Sequence, residues 1–203
     1  MTFEIKISQK PVGYKYAEKL MEKRLEDVKK GKKSDFIWIL EHSKTFTAGT
    51  SSNEKDLLDK KIRVIKVKRG GKITLHNKGQ KILYFVIDLN NKKKDVRLFV
   101  NIIEKTIIDF LKIYNIKSYS DRKNIGIWVD GKKIAAIGIR ISKWVAYHGF
   151  SINIKNNLND YKKINPCGLS NEKITSIYDL KNKTVKYVEK NLVNSFLKNI
   201  KNF

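Results

Sequence analysis

Two short, mostly apolar runs constrain this chain more than anything else in it. Residues 35–42 read DFIWILEH and residues 82–89 read ILYFVIDL. Each has the length of a strand and too little polarity to face water, so both predict buried strands. Other elements must therefore cover them. Over Tyr14 to Lys29, Ala17, Leu20, Met21, Leu25 and Val28 recur at helical spacing, and residues 95–116 form the longest apolar-periodic stretch. Val185, Val188, Leu192, Phe196 and Ile200 predict a closing amphipathic helix over Thr184 to Ile200. TFEIKIS and RVIKVKR alternate as strands do, and WVAYHGFSINI reads as another. GIWVDGKKIAAIGIRI holds two β-rich runs around Asp130-Gly131, a pair that tolerates the positive φ of a tight hairpin turn. The glycines and Asn77 of GGKITLHNKGQ predict a loop. One α+β domain over residues 1–203, with several strands and three long helices, accounts for the whole pattern.

Composition narrows the function classes. A single cysteine, Cys167, excludes an intramolecular disulfide. The N-terminus has no apolar run of signal-peptide length and no stretch approaches the ~20 apolar residues of a membrane span. A cytoplasmic enzyme or binding protein is the expectation. The formal charge of +24 favours an acidic partner. Its lysines are spread along a chain also rich in Asn and Ile, and they lack the interleaved aromatics of a single-strand binding platform. A basic nucleic-acid-binding module is therefore the alternative and not the main reading.

Cys167 sits between Pro166 and Gly168, where neither a helix nor a central strand is expected. An inert packed thiol is one reading. A nucleophile is the other, and it needs a nearby base because a free thiol is mostly protonated at neutral pH. Lys133 heads a strand face that otherwise carries Ala135, Ile137, Ile139 and Ile141. It either snorkels to water at the strand end or is a desolvated amine able to exchange a proton with a thiol. Ala135, Ala136 and Gly138 leave room beside it. His148 shares a face with Ala146, Phe150 and Ile152 and reads more readily as a core histidine than a catalytic one. His42, His76 and His148 are too dispersed to suggest a metal site by spacing. Arg69 and the loop amides of RGGKITLH could surround an anionic or carbonyl group, and no Walker or GxGxxG motif is present.

Taken together, LEHSKTFTAGTS, RGGKITLH followed by GQ, GIWVDGKKIAAIGIRI, WVAYHGFSINI and INPCGLS resemble, in order and spacing, the lipoyl(octanoyl) transferases. The resemblance runs from about Asp35 to about Leu180, and its most specific pair, KIAAIG and NPCG, is separated by 167 − 133 = 34 positions. It implies a mixed β-sheet flanked by helices, similar to the catalytic domain of biotin and lipoate ligases. It implies octanoyl transfer from octanoyl-acyl carrier protein to a lysine of lipoyl domains, those of 2-oxoacid dehydrogenase E2 subunits and of glycine-cleavage H protein, with no cofactor, no nucleic acid and no membrane, by a monomer. Cys167 would carry the acyl group as a thioester and Lys133 would lower its pKa and shuttle protons. Arg69, Gly70, Gly71, Lys72, Ile73, Thr74, Leu75 and His76, with Ala136, Ile137, Gly138, Gly149, Phe150 and Ser151, would line the substrate site. An ATP-dependent lipoate ligase on the same fold is the enzymatic alternative, and it needs no cysteine at this position. The chain departs from the family pattern at Leu75, where an aromatic is usual, at Asn77-Lys78, where the family carries Gly-Pro, and at Ser43-Lys44.

Overall fold

Phe36, Trp38 and Leu40 turn to one side of strand β2 (Asp35–Leu40), Ile37 and Ile39 turn to the other, and both sides are buried. The same holds for β6 (Gln80–Asp88), whose Ile82, Tyr84 and Val86 join the first set and whose Leu83, Phe85 and Ile87 join the second. That is why the two runs show no polar alternation: each strand is covered by helices on both faces. The computed structural model describes residues 2–90, 92–165, 173–201 and 203.

Helix α1 (Tyr14–Lys29) lays Ala17, Met21, Leu25 and Val28 on the first face. Helices α2 (Val96–Ile113) and α4 (Val188–Ile200) pack together on the second, where Phe85 meets Phe99 edge-on at 5.4 Å and stacks on Phe196 at 5.9 Å. Asp95 caps α2 by accepting from the Leu98 amide, one of the orphan donors of a helix start. A short helix, α3 (Ile177–Lys181), is capped in the same way by Ser176.

Among the described residues the strands form two sheets. The larger has the order β1-β2-β6-β10-β9-β8-β7. It adds β1 (Phe3–Ile7), β7 (Tyr119–Ser120), β8 (Ile127–Val129), β9 (Lys132–Ser142) and β10 (Val145–Asn153), with β1 parallel to β2 and the other neighbours antiparallel. Asp130 (φ 47°) and Gly131 (φ 73°) both take the positive φ of a two-residue hairpin turn between β8 and β9. The architecture is thus the expected mixed sheet flanked by helices.

The smaller sheet, β4-β3-β5, corrects one expectation. Residues 70–80 are not all loop: β5 (Ile73–His76) pairs antiparallel with β3 (Thr45–Ala48), and β4 (Val64–Lys66) pairs parallel with β3. Strands β3 and β5 are four residues long, too short for periodicity to register, whereas β4 falls within the alternating RVIKVKR run that predicts it. Strands β3 and β5 exist because Phe46, Ile73 and Leu75 bury against Tyr161 of the 3-10 helix Leu158–Lys163 and against Ile164 just after it. The closing helix also begins later than expected, at Val188, after Tyr187 takes φ 59°. No helix among the described residues is long and apolar enough to cross a membrane.

Candidate active site between the two sheets

The register of β9 and β10 places Gly138 directly opposite Gly149. Two facing residues without side chains leave a bare patch on the large sheet, flanked by the Ile137–Phe150 and Ala136–Ser151 pairs. The small sheet closes over it. Because side chains alternate along β5, Thr74 and His76 face this cleft, while Ile73 and Leu75 turn into the core behind it. Residues 69–72 and 136–138, His148, Gly149, Phe150 and Ser151 complete the lining together with Tyr14, Ile82 and Tyr84. The cleft is small, about 60 Å³, which at the ~10–15 Å³ required per water-sized group holds about four to six of them.

One wall is polar, buried and neutral. His42 Nδ1 lies 2.6 Å from the Val12 carbonyl oxygen, so it carries the proton, and Nε2 accepts from the Tyr84 hydroxyl at 3.0 Å. His76 Nδ1 donates to Gln80 Oε1 at 2.8 Å, because Gln80 Nε2 is committed to Asn153 and Tyr161. Tyr14 stacks on His76 at 6.1 Å and tilts against His42 at 5.0 Å. Burial pushes the pKa of His42 down to about 4. Burial, then the neighbouring His42, takes His76 down to about 3. The Tyr14 hydroxyl is driven up to about 12, again by burial. Nothing on this wall carries charge at neutral pH.

Arg69 does not reach for a ligand. Its guanidinium donates to the carbonyls of Gly70 and Lys72 at 2.9 Å each and to the carbonyl and hydroxyl of Thr47. It fixes the 69–72 loop to the small sheet. His148 also differs from the sequence reading. It takes φ 74°, which breaks the alternation of β10, and it lines the cleft with Nε2 unpartnered among the described residues. Burial, then the fields of Arg69 and Arg140, lower its pKa to about 4.

Lys133 is 5% exposed and does not snorkel. Its Nζ donates to the Ile125 carbonyl at 2.7 Å and lies 5.7 Å from the Trp128 ring centroid. Gly126 makes room for it: at φ 144° a Cβ there would collide with Lys133 Cε and with the Ala135 carbonyl oxygen. The aliphatic stem is thereby held in a slot and the amine reaches a second cavity of about 520 Å³, which shares Gly70, Gly71, Lys72, Ile137 and Gly138 with the first.

Cys167, with Pro166 and Gly168, lies outside the described residues. The chain on either side is well anchored. Before it, the Asn165 amide donates to the Asp56 carbonyl at 2.8 Å. After it, Ile174 forms a parallel bridge with Lys133, and the Thr175 amide donates to the Lys133 carbonyl at 3.0 Å. The backbone downstream of the cysteine thus returns to the residue proposed as its partner.

Two departures from the family pattern meet at one carboxylate. Lys44 Nζ lies 3.1 Å from Asp160 Oδ1, and Asn77 Nδ2 donates to Asp160 Oδ2 at 3.2 Å and to the Asn157 carbonyl at 2.9 Å. They tie the β2–β3 and β5–β6 connections to the 3-10 helix that leads towards Cys167. Tyr14, His42, Tyr84 and Gln80 give no signal as site residues in the sequence: the first three belong to a predicted helix or buried strand, and Gln80 ends a predicted loop. Among the described residues no group of three His, Cys, Asp or Glu side chains is placed to hold a metal ion.

Comparison with known proteins is consistent with this architecture. A family model described as the lipoyl protein ligase A/B catalytic domain matches residues 13–197. A protein named octanoyltransferase from Ehrlichia chaffeensis is 42% identical over 183 residues, covering 87% of this chain and 86% of its own. Another, from Parvibaculum lavamentivorans, is 40% identical over 186 residues, covering 87% and 83%. Among solved structures, a lipoate-protein ligase A bound with ATP superposes with a TM-score of 0.77 over 99% of this chain and 86% of that one, at 13% identity. A biotin protein ligase from Aquifex aeolicus gives a TM-score of 0.57 at 15% identity, covering 100% and 70%. At such identities the structural likeness speaks for the fold.

Proposed function

This chain belongs to the lipoyl protein ligase A/B catalytic-domain family and transfers octanoyl groups in protein lipoylation, and we propose that the group passes through a thioester on Cys167 with Lys133 moving the protons. The observation that carries the proposal is the small, largely apolar cleft over the Gly138–Gly149 pair, joined at Gly138 to a cavity that a buried lysine lines. The acyl chain lies on the bare glycine patch, between Ile137, Phe150 and the small sheet. Gly70, Gly71, Lys72, Thr74, His76, Ala136, Gly138, Gly149 and Ser151 surround it, Arg69 holds the loop, and Ile73 and Leu75 support it from behind.

The chemistry follows from the two groups. The Lys133 ammonium favours the Cys167 thiolate. The thiolate attacks the donor thioester, the bond from the acyl carbon to the donor sulfur breaks, and the leaving thiolate takes a proton from Lys133. One thioester replaces another, so this half is nearly balanced in energy. The neutral Lys133 amine then removes a proton from the acceptor's ammonium. The acceptor amine attacks, the bond from the acyl carbon to the Cys167 sulfur breaks, and the second proton of the attacking nitrogen passes to water, so that an amide forms and Cys167 leaves as thiolate beside a reprotonated Lys133. Amide formation drives the second half forward.

The donor is octanoyl-acyl carrier protein and the acceptors are the lipoyl domains of 2-oxoacid dehydrogenase E2 subunits and glycine-cleavage H protein. The protein acts as a monomer in the cytoplasm, as one domain over residues 1–203. With 44 basic against 20 acidic residues, its field speeds encounter with acidic carriers, an effect that salt screens.

Intact-protein mass spectrometry after mixing with octanoyl-acyl carrier protein tests the reading. A single octanoyl adduct, released by hydroxylamine and absent in Cys167→Ser, is the expected result, with slower adduct formation in Lys133→Met. Octanoyl transfer to a lipoyl domain by the Cys167→Ser variant at the native rate would overturn it.

A further inference from the structure

The second cavity is chemically unlike the first. Its apolar side is formed by Val100, Ile125, Ile137 and Ile139, and every charged side chain lining it among the described residues is a lysine: Lys72, Lys123 and Lys133. Lys133 is committed inward to the Ile125 carbonyl. Lys72 is half-exposed and steadied by Asp56, whose carboxylate lies 3.7 Å away. Lys123 is exposed on the 121–126 segment, whose Asp121 accepts from the Lys123 amide and from Asn124. The cavity adjoins the acyl cleft through Gly70–Lys72 and Ile137–Gly138, so a molecule with its acyl end in the first extends its other end here.

We propose that this cavity is the donor-arm subsite, taking a long thiol arm that carries a phosphate ester, with Lys72 and Lys123 holding the phosphate. The proposal rests on the thioester reading above and deepens it. An acyl donor of this class presents three parts in order: an apolar chain, a thioester, and an extended arm ending in a phosphate. The molecule offers the same sequence of environments: a small apolar cleft, a buried lysine, and a cavity of about 520 Å³ rimmed by ammonium groups. The apolar wall suits the methylenes of the arm and the lysines suit its charged end. The same positive rim favours departure of the donor as a thiolate.

Nucleotide phosphates offer the same chemistry, and the test separates the two sources. Acyl-enzyme formation is followed by intact mass at low salt with octanoyl-pantetheine and with octanoyl-pantetheine 4′-phosphate, which differ only in the phosphate. The phosphate should raise kcat/KM about tenfold. Lys123→Gln should cut that advantage to about threefold, and the Lys72→Gln/Lys123→Gln pair should abolish it. Lys123 is exposed, and equal melting temperatures verify that the variant is folded. Equal rates for the two donors overturn the subsite while leaving the thioester reading intact. No adduct from either donor, or from octanoyl-acyl carrier protein, overturns both. A phosphate advantage that persists undiminished in the double variant places the phosphate elsewhere. Modification of a lipoyl domain from free octanoate and ATP, weakened by Lys123→Gln, assigns the cavity to a nucleotide and overturns the proposal as well.

Discussion

Replacing Gly126 with alanine asks whether the Lys133 slot matters. The added Cβ meets the Ala135 carbonyl oxygen at 2.6 Å and lies 3.1 Å from Lys133 Nζ, with Lys133 Cε nearer still. Ordinary contact begins near 3.4 Å, so the Ala135 carbonyl must retreat by 3.4 − 2.6 = 0.8 Å or the lysine must leave its slot. Neither is free. The Ala135 residue pairs with Ile127 and Ile152 in the middle of the large sheet, and the amine would give up its 2.7 Å bond to Ile125. A side chain at φ 144° adds strain of about 1–3 kcal/mol, and overpacking adds about 1–3 kcal/mol more. A loss of about 2–6 kcal/mol lowers the melting temperature by about 2–4 °C per kcal/mol in a chain of this size. Displacing a proton-transfer group by ~1 Å slows transfer by about a hundredfold. Thermal melting and single-turnover acyl-enzyme formation, measured on the same sample, check both. A Gly126→Ala protein that melts within ~1 °C of the parent and acylates at the parent rate would refute the slot.

Three further outcomes are expected. Gln80→Leu leaves the His76 Nδ1–H buried without its acceptor, which costs about 2–4 kcal/mol in urea unfolding; no change in the midpoint would contradict the assigned tautomer. His42, His76 and His148 all have folded pKa values below 6.5, at about 4, 3 and 4. The unfolded chain therefore binds more protons than the folded one below pH 6.5. Stability is complete above that pH and is lost as pH falls towards 4, by about 2 kcal/mol per histidine at pH 5. Equal urea midpoints at pH 7.5 and pH 5 would rule this out. Asp160→Ala should cost about 1–2 kcal/mol, nearly matched by Asn77→Ala and hardly at all by Lys44→Ala, whose side chain is 57% exposed.

The large sheet and its helices were legible because burial on both faces leaves its mark on residues 36–40 of β2 and 82–87 of β6, and because α2 carries its apolar stripe over eighteen residues. The Asp130-Gly131 turn was legible because its backbone demands those residue types. What escaped was held by partners distant in sequence. Thr45–Ala48 and Ile73–His76 become strands only by pairing with each other and burying Phe46 and Leu75 under Tyr161, and glycine-bearing flanks concealed them. Of the site, Lys133 stood out as a lysine on an apolar strand face, and it is indeed desolvated. His148 reads as a core residue only if β10 alternates without interruption, and at φ 74° it does not. His42 and Tyr84 form one wall through a hydrogen bond across 42 positions, which spacing along the chain does not reveal.

The cleft lies at a seam between halves of unequal strength. One wall belongs to a sheet sandwiched between helices and sealed by an extensive, largely aliphatic core; the other hangs on Phe46, Ile73 and Leu75 against Tyr161 and Ile164. Cooperative units of such different size open at different free energies. Warming this protein should silence catalysis several degrees before helical circular dichroism is lost, and a bound acyl chain, by bridging the seam, should bring the two events together.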